Sequence, residues 1–110
     1  MIFYGLKSCD SCRKAKTDLK AAGITPTVLD LRDDGLDRAT VQAILDEVGP
    51  AGLNKASTTW RALSEADRAG DPVDLIVANP TLLKRPAIQS GGVWTVGWTP
   101  AVKAARLGKG

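Results

Sequence analysis

The sequence predicts an α/β fold in the order β-α-β, a helical insertion, then β-β-α, around a mixed four-stranded sheet. Three observations predict it. An apolar run, Met1-Ile2-Phe3-Tyr4, turns at Gly5 and leads into a segment of helical period. A central block from about 37 to 80 repeats its apolar residues at helical spacing. A Ser90-Gly91-Gly92 turn then joins two strand-like runs. The 110 residues suit a single domain, 1–110, with the helical block as an insertion, because each of its apolar stripes is too short to enclose a core of its own.

The elements follow in order. Cys12, Ala15, the stem of Lys16, Leu19 and Ala22 recur on one helix face, and Gly23 supplies a left-handed stop, which predicts a helix over 10–23. Thr27 to Leu31 is β-branched and apolar and reads as the second strand, broken by Arg32-Asp33-Asp34-Gly35. In the insertion, Val41, Ile44, Leu45 and Val48 form one stripe closed by Gly49-Pro50. Val73, Ile76 and Val77 form another, closed by Asn79-Pro80, and Leu53, Trp60 and Leu63 lie between them. Ala87-Ile88-Gln89 and Val93 to Val96 make the hairpin strands. Thr99-Pro100 gives an N-cap and first-turn proline to a closing helix over 101–107, after which residues 108–110 are expected to fray. Trp60 and Trp94 are expected in the core and Trp98 as surface cover.

Composition excludes several classes of function. There is no histidine, so no imidazole base, no Ser-His-Asp or Cys-His catalysis and no imidazole metal ligand. With two cysteines, one chain cannot complete an ordinary structural zinc site, and no metal is expected. The 15 basic and 12 acidic residues are scattered, which gives little support to nucleic-acid binding. No apolar stretch approaches a membrane span, and the N-terminal run lacks the features of a signal peptide, so a cytoplasmic location is expected.

The chemistry gathers at Cys9-Asp10-Ser11-Cys12. A thiol at a helix N-terminus meets unpaired backbone N–H groups and the positive end of the helix dipole, which favour its thiolate. Cys12 follows one turn later on the same face, close enough to attack a mixed disulfide on Cys9. Cys9 is therefore read as nucleophile and Cys12 as resolving thiol. Lys7, Arg13 and Lys14 lie near Cys9 in sequence. Helix geometry sends Arg13 toward the side of Cys9, where it would lower the thiol pKa. The element order, with C-x-x-C after the first strand, matches a thioredoxin-like fold.

Four stretches carry a more specific resemblance: Tyr4 to Asp10, Leu31 to Asp37, Leu53-Asn54-Lys55 with Thr58-Thr59-Trp60-Arg61, and Leu83-Lys84-Arg85-Pro86-Ala87-Ile88. Together they resemble the arsenate reductase (ArsC) family, within it the Spx and YffB-like branch, over nearly the whole chain. The resemblance implies a thioredoxin-like fold with Cys9 at the nucleophile position and Arg85-Pro86 at the basic-residue and cis-proline site. Cys9, Cys12 and Arg85 are the expected catalytic residues, and Lys7, Ser8, Arg13, Lys55 and Pro86 the expected substrate-binding ones. An extended thiol peptide such as glutathione could pair with the backbone at the proline, and Arg85 would set a permanent forked charge near the thiolate.

The chain also departs from the family pattern. Arsenate reductases proper use further arginines, in the stretch matching Asn54-Lys55 and after the last hairpin, where this sequence has Val96-Gly97-Trp98. Lysine supplies charge without planar bidentate recognition, which weighs against arsenate as substrate. The expected function is a monomeric thiol–disulfide oxidoreductase that uses glutathione or a thiol protein as co-substrate and needs no other cofactor. The alternative is an Spx-like regulator whose Cys9–Cys12 disulfide switches binding to the RNA polymerase α subunit, and a third is arsenate reduction.

Overall fold

The computed structural model describes residues 1–107; the expected fraying of residues 108–110 lies outside them. Four strands, β1 (Ile2–Gly5), β2 (Thr27–Asp30), β3 (Ala87–Ser90) and β4 (Val93–Val96), form one sheet in the order β2-β1-β3-β4. β1 pairs parallel to β2 and antiparallel to β3, and β3 pairs antiparallel to β4. The sheet is mixed, as the sequence predicts. Among the described residues six α-helices accompany the sheet: α1 (Asp10–Ala21), α2 (Arg38–Val48), α3 (Thr58–Ala62), α4 (Glu65–Arg68), α5 (Pro72–Ala78) and α6 (Pro100–Arg106). None is long and apolar enough to cross a membrane.

Strand alternation sorts the core onto two faces of the sheet. Phe3 and Ile88, partners across β1 and β3, pack with Cys12, Ala15 and Leu19 of α1. Their neighbours Tyr4 and Ala87 face the other way, toward Val41 and Ile44 of α2, Val73 and Ile76 of α5, and Trp94. Helices thus cover both faces, with α1 and the helical insertion on opposite sides.

Local chemistry sets the element ends. Gly23, at φ 79°, turns the chain after α1, which ends at Ala21, and Ala22 is exposed, outside the expected helix face. β2 ends at Asp30, one residue earlier than expected, because the Asp30 side chain accepts the N–H groups of Arg32 and Asp33 and turns the chain. Leu31 is buried in the core as part of this turn. Gly91 and Gly92, at φ 60° and 80°, make the β3–β4 hairpin turn. Asp37 and Thr99 cap α2 and α6 through the N–H groups of Thr40 and Val102.

The insertion departs from its two-stripe pattern in detail. Val77 was expected in the buried stripe of α5; it is exposed, since this seven-residue helix turns only Val73 and Ile76 inward before Asn79 ends it. Between α2 and α5 the chain forms a 3-10 turn, Gly49–Gly52, and the two short helices α3 and α4. The insertion is also stitched to the segment before β3. The Asn54 N–H donates to Leu82 O at 2.7 Å, the Lys84 N–H donates to Gly52 O at 2.8 Å, and Leu53 and Leu83 form an isolated antiparallel bridge between them.

Candidate thiol site

Cys9 is the N-cap of α1. It follows directly on the turn after β1, where its own N–H donates to Leu6 O at 3.2 Å. The Cys12 N–H, an orphan donor of the first helical turn, points at the Cys9 sulfur at 3.4 Å. Partial burial works against a Cys9 thiolate. The Cys12 thiol and N–H, together with the Arg85 guanidinium by hydrogen bonding and by charge, outweigh it and hold the Cys9 pKa below the ordinary thiol value. Partial exposure and a lowered pKa both favour Cys9 as the reactive thiol of the pair.

Cys12 is its opposite. It is fully buried between α1 and the sheet, and burial, reinforced by the adjacent Cys9, pushes its pKa up to about 12. Its sulfur packs on Gly5, where a Cβ would lie 2.9 Å from Cys12 Sγ and 2.9 Å from Phe3 Cε1. Both cysteines are free thiols. The site thus holds one accessible, acidic thiol above one enclosed, protonated thiol.

Arg85 lies in the segment between the insertion and β3, and its charge favours the thiolate of both cysteines. The Arg85-Pro86 bond is cis, as the resemblance implies, and Pro86 is buried at the start of β3. Nη1 of Arg85 donates to Thr81 O at 2.8 Å, and the hydroxyls of Thr81 and Thr59 are hydrogen-bonded at 2.8 Å. The structure therefore brings Cys9, Cys12, Arg85 and Pro86 together at the carboxyl end of β1.

The other expected site residues stand further out. Ser8 is exposed in the turn after β1, and the exposed Lys7 pairs with Asp33 at 3.3 Å. Arg13 was expected to act on Cys9. Its guanidinium instead pairs with Asp10 on the exposed first turn of α1, and the cationic side chain that lowers the Cys9 pKa is Arg85. The ammonium of Lys55 lies over the Trp60 ring, 5.7 Å from its centroid, with the Arg68 guanidinium also against that ring at 5.6 Å. Trp60 is half-buried at the edge of the core, Trp94 is buried, and Trp98 donates its indole N–H to Asp18 at 2.8 Å. Among the described residues no group of three His, Cys, Asp or Glu side chains could hold a metal.

Sequence reasoning missed the Thr59–Thr81 hydrogen bond beside Arg85. Thr59 stood within a recognised stretch without an assigned role, and Thr81 carried no signal beyond its place four residues before Arg85. Nothing in the sequence alone pairs residues 59 and 81.

Known proteins share this fold and family. The ArsC family model matches residues 4–105. A protein of Haemophilus influenzae described as uncharacterized is 35% identical over 100 residues, covering 86% of this chain and 88% of its own length. A solved structure of a protein named YffB superposes with a TM-score of 0.89 at 35% identity, covering 96% of this chain and 97% of that one. The solution structure of an arsenate reductase (ArsC) related protein from Brucella melitensis is 37% identical, with a TM-score of 0.74 over 94% of this chain and 91% of that one. An arsenate reductase from Vibrio cholerae shares the fold at 15% identity, with a TM-score of 0.74 over 97% of this chain and 94% of that one. With a thiol at the first helix start, a basic residue before a cis-proline and a family match over nearly its whole length, the chain belongs to the ArsC family.

Proposed function

We propose that the chain is a thiol–disulfide oxidoreductase that works in the cytoplasm with glutathione or a thiol protein as its reductant. The observation that carries this reading is the asymmetry of the two cysteines: Cys9 is accessible and acidic at the helix start, while Cys12 is buried and protonated one turn below. Membership of the ArsC family, with its arsenate reductase-related neighbours, supports a thiol-dependent redox role.

The Cys9 thiolate attacks one sulfur of a disulfide R–S–S–R′, forming Cys9–S–S–R and expelling R′S⁻. With Cys9 now neutral, the part of the Cys12 shift owed to Cys9 disappears, while Arg85 and the Leu6 backbone still favour a Cys12 thiolate. The Cys12 proton passes to R′S⁻. The Cys12 thiolate then attacks the Cys9 sulfur, forming the Cys9–Cys12 disulfide and expelling RS⁻. Two external thiols return the pair to the reduced state and leave as their own disulfide. The substrate disulfide gains two electrons, and the external thiols supply them.

The test is intact mass after equilibration in glutathione redox buffers. Wild type should lose two hydrogens, and Cys12→Ser should trap one glutathione on Cys9. Wild-type thiols that stay reduced and unmodified across the series would remove the basis for the reading. Arsenate fits the site less well: Lys55 lies over Trp60, and the Asn54 side chain accepts the Ala56 N–H of its own turn.

A further inference from the structure

Arg85 is anchored on Thr81. Nη1 donates to the Thr81 carbonyl, while Nε is buried without a partner among the described residues. A guanidinium presents five N–H donors in a rigid fork, so where the remaining donors point depends on where Thr81 sits. Thr81 belongs to a one-turn 3-10 segment, Pro80–Leu82, whose own bonds run from the Leu82 N–H to Asn79 O at 2.9 Å and from the Leu83 N–H to Pro80 O at 3.1 Å. Backbone bonds on Leu82 and Lys84 tie this segment to the insertion, and none of them engages the Thr81 side chain. The Thr81 hydroxyl is hydrogen-bonded to that of Thr59, on α3, 22 residues earlier. α3 is itself anchored, since Ser57 Oγ caps it by accepting the Trp60 N–H and the Arg68 side chain donates to the carbonyls of Trp60 and Arg61 at its other end.

We propose that Thr59 is a positioning residue of the thiol site: through its hydroxyl bond to Thr81 it fixes the carbonyl on which Arg85 pivots, and so keeps the guanidinium beside Cys9. The proposal rests on the thiol-transfer reading above and deepens it, by giving the helical insertion a part in the chemistry. The contacts run from α3 to the Thr81 hydroxyl and from the Thr81 carbonyl to Arg85, whose guanidinium favours the Cys9 thiolate by hydrogen bonding and charge. Without the Thr59 bond the Thr81 turn keeps its backbone bonds but loses its side-chain tie to α3, so the Thr81 carbonyl and the guanidinium on it can shift, while the buried Nε offers no competing restraint.

The experiment measures the rate of Cys9 alkylation by iodoacetamide against pH, in folded protein checked by circular dichroism. Cys12 stays protonated and enclosed over this range, so the profile reports Cys9 alone. Arg85→Gln should move the profile to higher pH. Thr59→Val should move it the same way by a smaller amount, with the rate at pH 6 falling roughly twofold to fivefold, while Thr59→Ser should restore the wild-type profile. Thr81→Val removes the same bond from its other end and should match Thr59→Val, which keeps the test open if either variant folds poorly. In the Arg85→Gln background Thr59→Val should change nothing further, because both act through one guanidinium.

An unchanged profile in both threonine variants, with Arg85→Gln shifted, would overturn the positioning role and leave the thiol reading intact. The same would follow from an equal Thr59→Val effect with and without Arg85. An unshifted Arg85→Gln profile would overturn the positioning role together with the part that the thiol reading gives to Arg85.

Discussion

The backbone N–H of Cys12 points at the sulfur of Cys9 across 3.4 Å, so the residue that completes the proposed reaction also supports the thiolate that begins it. The Cys12 thiol adds to this support, and the two sulfurs are driven apart in acidity, one down and one up to about 12. Limited alkylation near neutral pH should therefore label Cys9 alone, with Cys12 reacting only after denaturation. Cys12→Ala should move the Cys9 profile to higher pH, and Cys12→Ser, which keeps a donor, should move it less. Peptide mapping of the alkylated protein checks both. Equal labelling of the two cysteines in the native state would contradict the burial asymmetry.

Gly5 is a matter of space, since its φ is not positive. A Cβ there would meet both the Cys12 sulfur and the Phe3 ring at 2.9 Å, and neither can retreat, because both are buried against α1 and the sheet. Gly5→Ala should destabilise the fold by roughly 1–3 kcal/mol, the usual cost of overpacking. Removing the sulfur in a Gly5→Ala/Cys12→Ala protein should recover part of that loss. Urea unfolding of the single and double variants measures the coupling, and strict additivity would show that the two positions do not touch.

Much of this was legible in the sequence. Gly91-Gly92 needs positive φ, Thr99-Pro100 caps and starts a helix, and Cys9 precedes a helical period, so the hairpin, α6 and the thiol loop follow from local chemistry. The Val77 error shows the limit of periodicity: in a helix of seven residues the buried stripe is set by what packs against it. The Arg13 error is of another kind. Helix geometry gives the side of a residue but not its partner, and Asp10, three residues away on the same exposed surface, was the nearer charge. The Thr59–Thr81 bond and the ribbon between residues 52–54 and 82–84 join segments far apart in the chain, and no local pattern encodes them.

Arg106 is a long-range feature of the same sort. It is a buried guanidinium, only 9% exposed, that donates to Thr95 Oγ1 at 2.9 Å, Val93 O at 2.9 Å and Ile88 O at 3.3 Å. Burial lowers its pKa, but three acceptors on β3 and β4 hold it as the pin that fastens α6 to the hairpin. Arg106→Ala removes the pin and strands the acceptors, and should cost roughly 2–4 kcal/mol. Arg106→Lys, with its point charge and no fork, should recover only part. Chemical denaturation checks the order wild type, Lys, Ala. An Ala variant as stable as wild type would show that α6 is held by apolar packing alone.

Asp18 clamps α1 to the loop before α6. Its Oδ2 accepts the Trp98 indole N–H at 2.8 Å and lies 3.4 Å from Lys103 Nζ on α6. The Trp98 bond is the main reason its pKa lies below the ordinary value of 3.8; burial opposes it, and Lys103 adds a hydrogen bond and charge in the same direction as Trp98. A carboxylate with a depressed folded pKa contributes stability that is present above its unfolded pKa and is lost as pH falls through the folded one. The Asp18 contribution should thus be complete at neutral pH and fade below about pH 4. Asp18→Asn keeps an acceptor for Trp98 but has no charge to lose. It should be less stable than wild type at pH 6, and the gap should narrow as pH drops to 3. Asp30 and Asp37, also depressed by their own hydrogen bonds, titrate in both proteins, so the difference between the two curves isolates Asp18. Urea midpoints followed by tryptophan fluorescence supply those curves. A gap that stays constant from pH 6 to 3 would mean that the charge on Asp18 does not hold the clamp, and that the indole hydrogen bond does so alone.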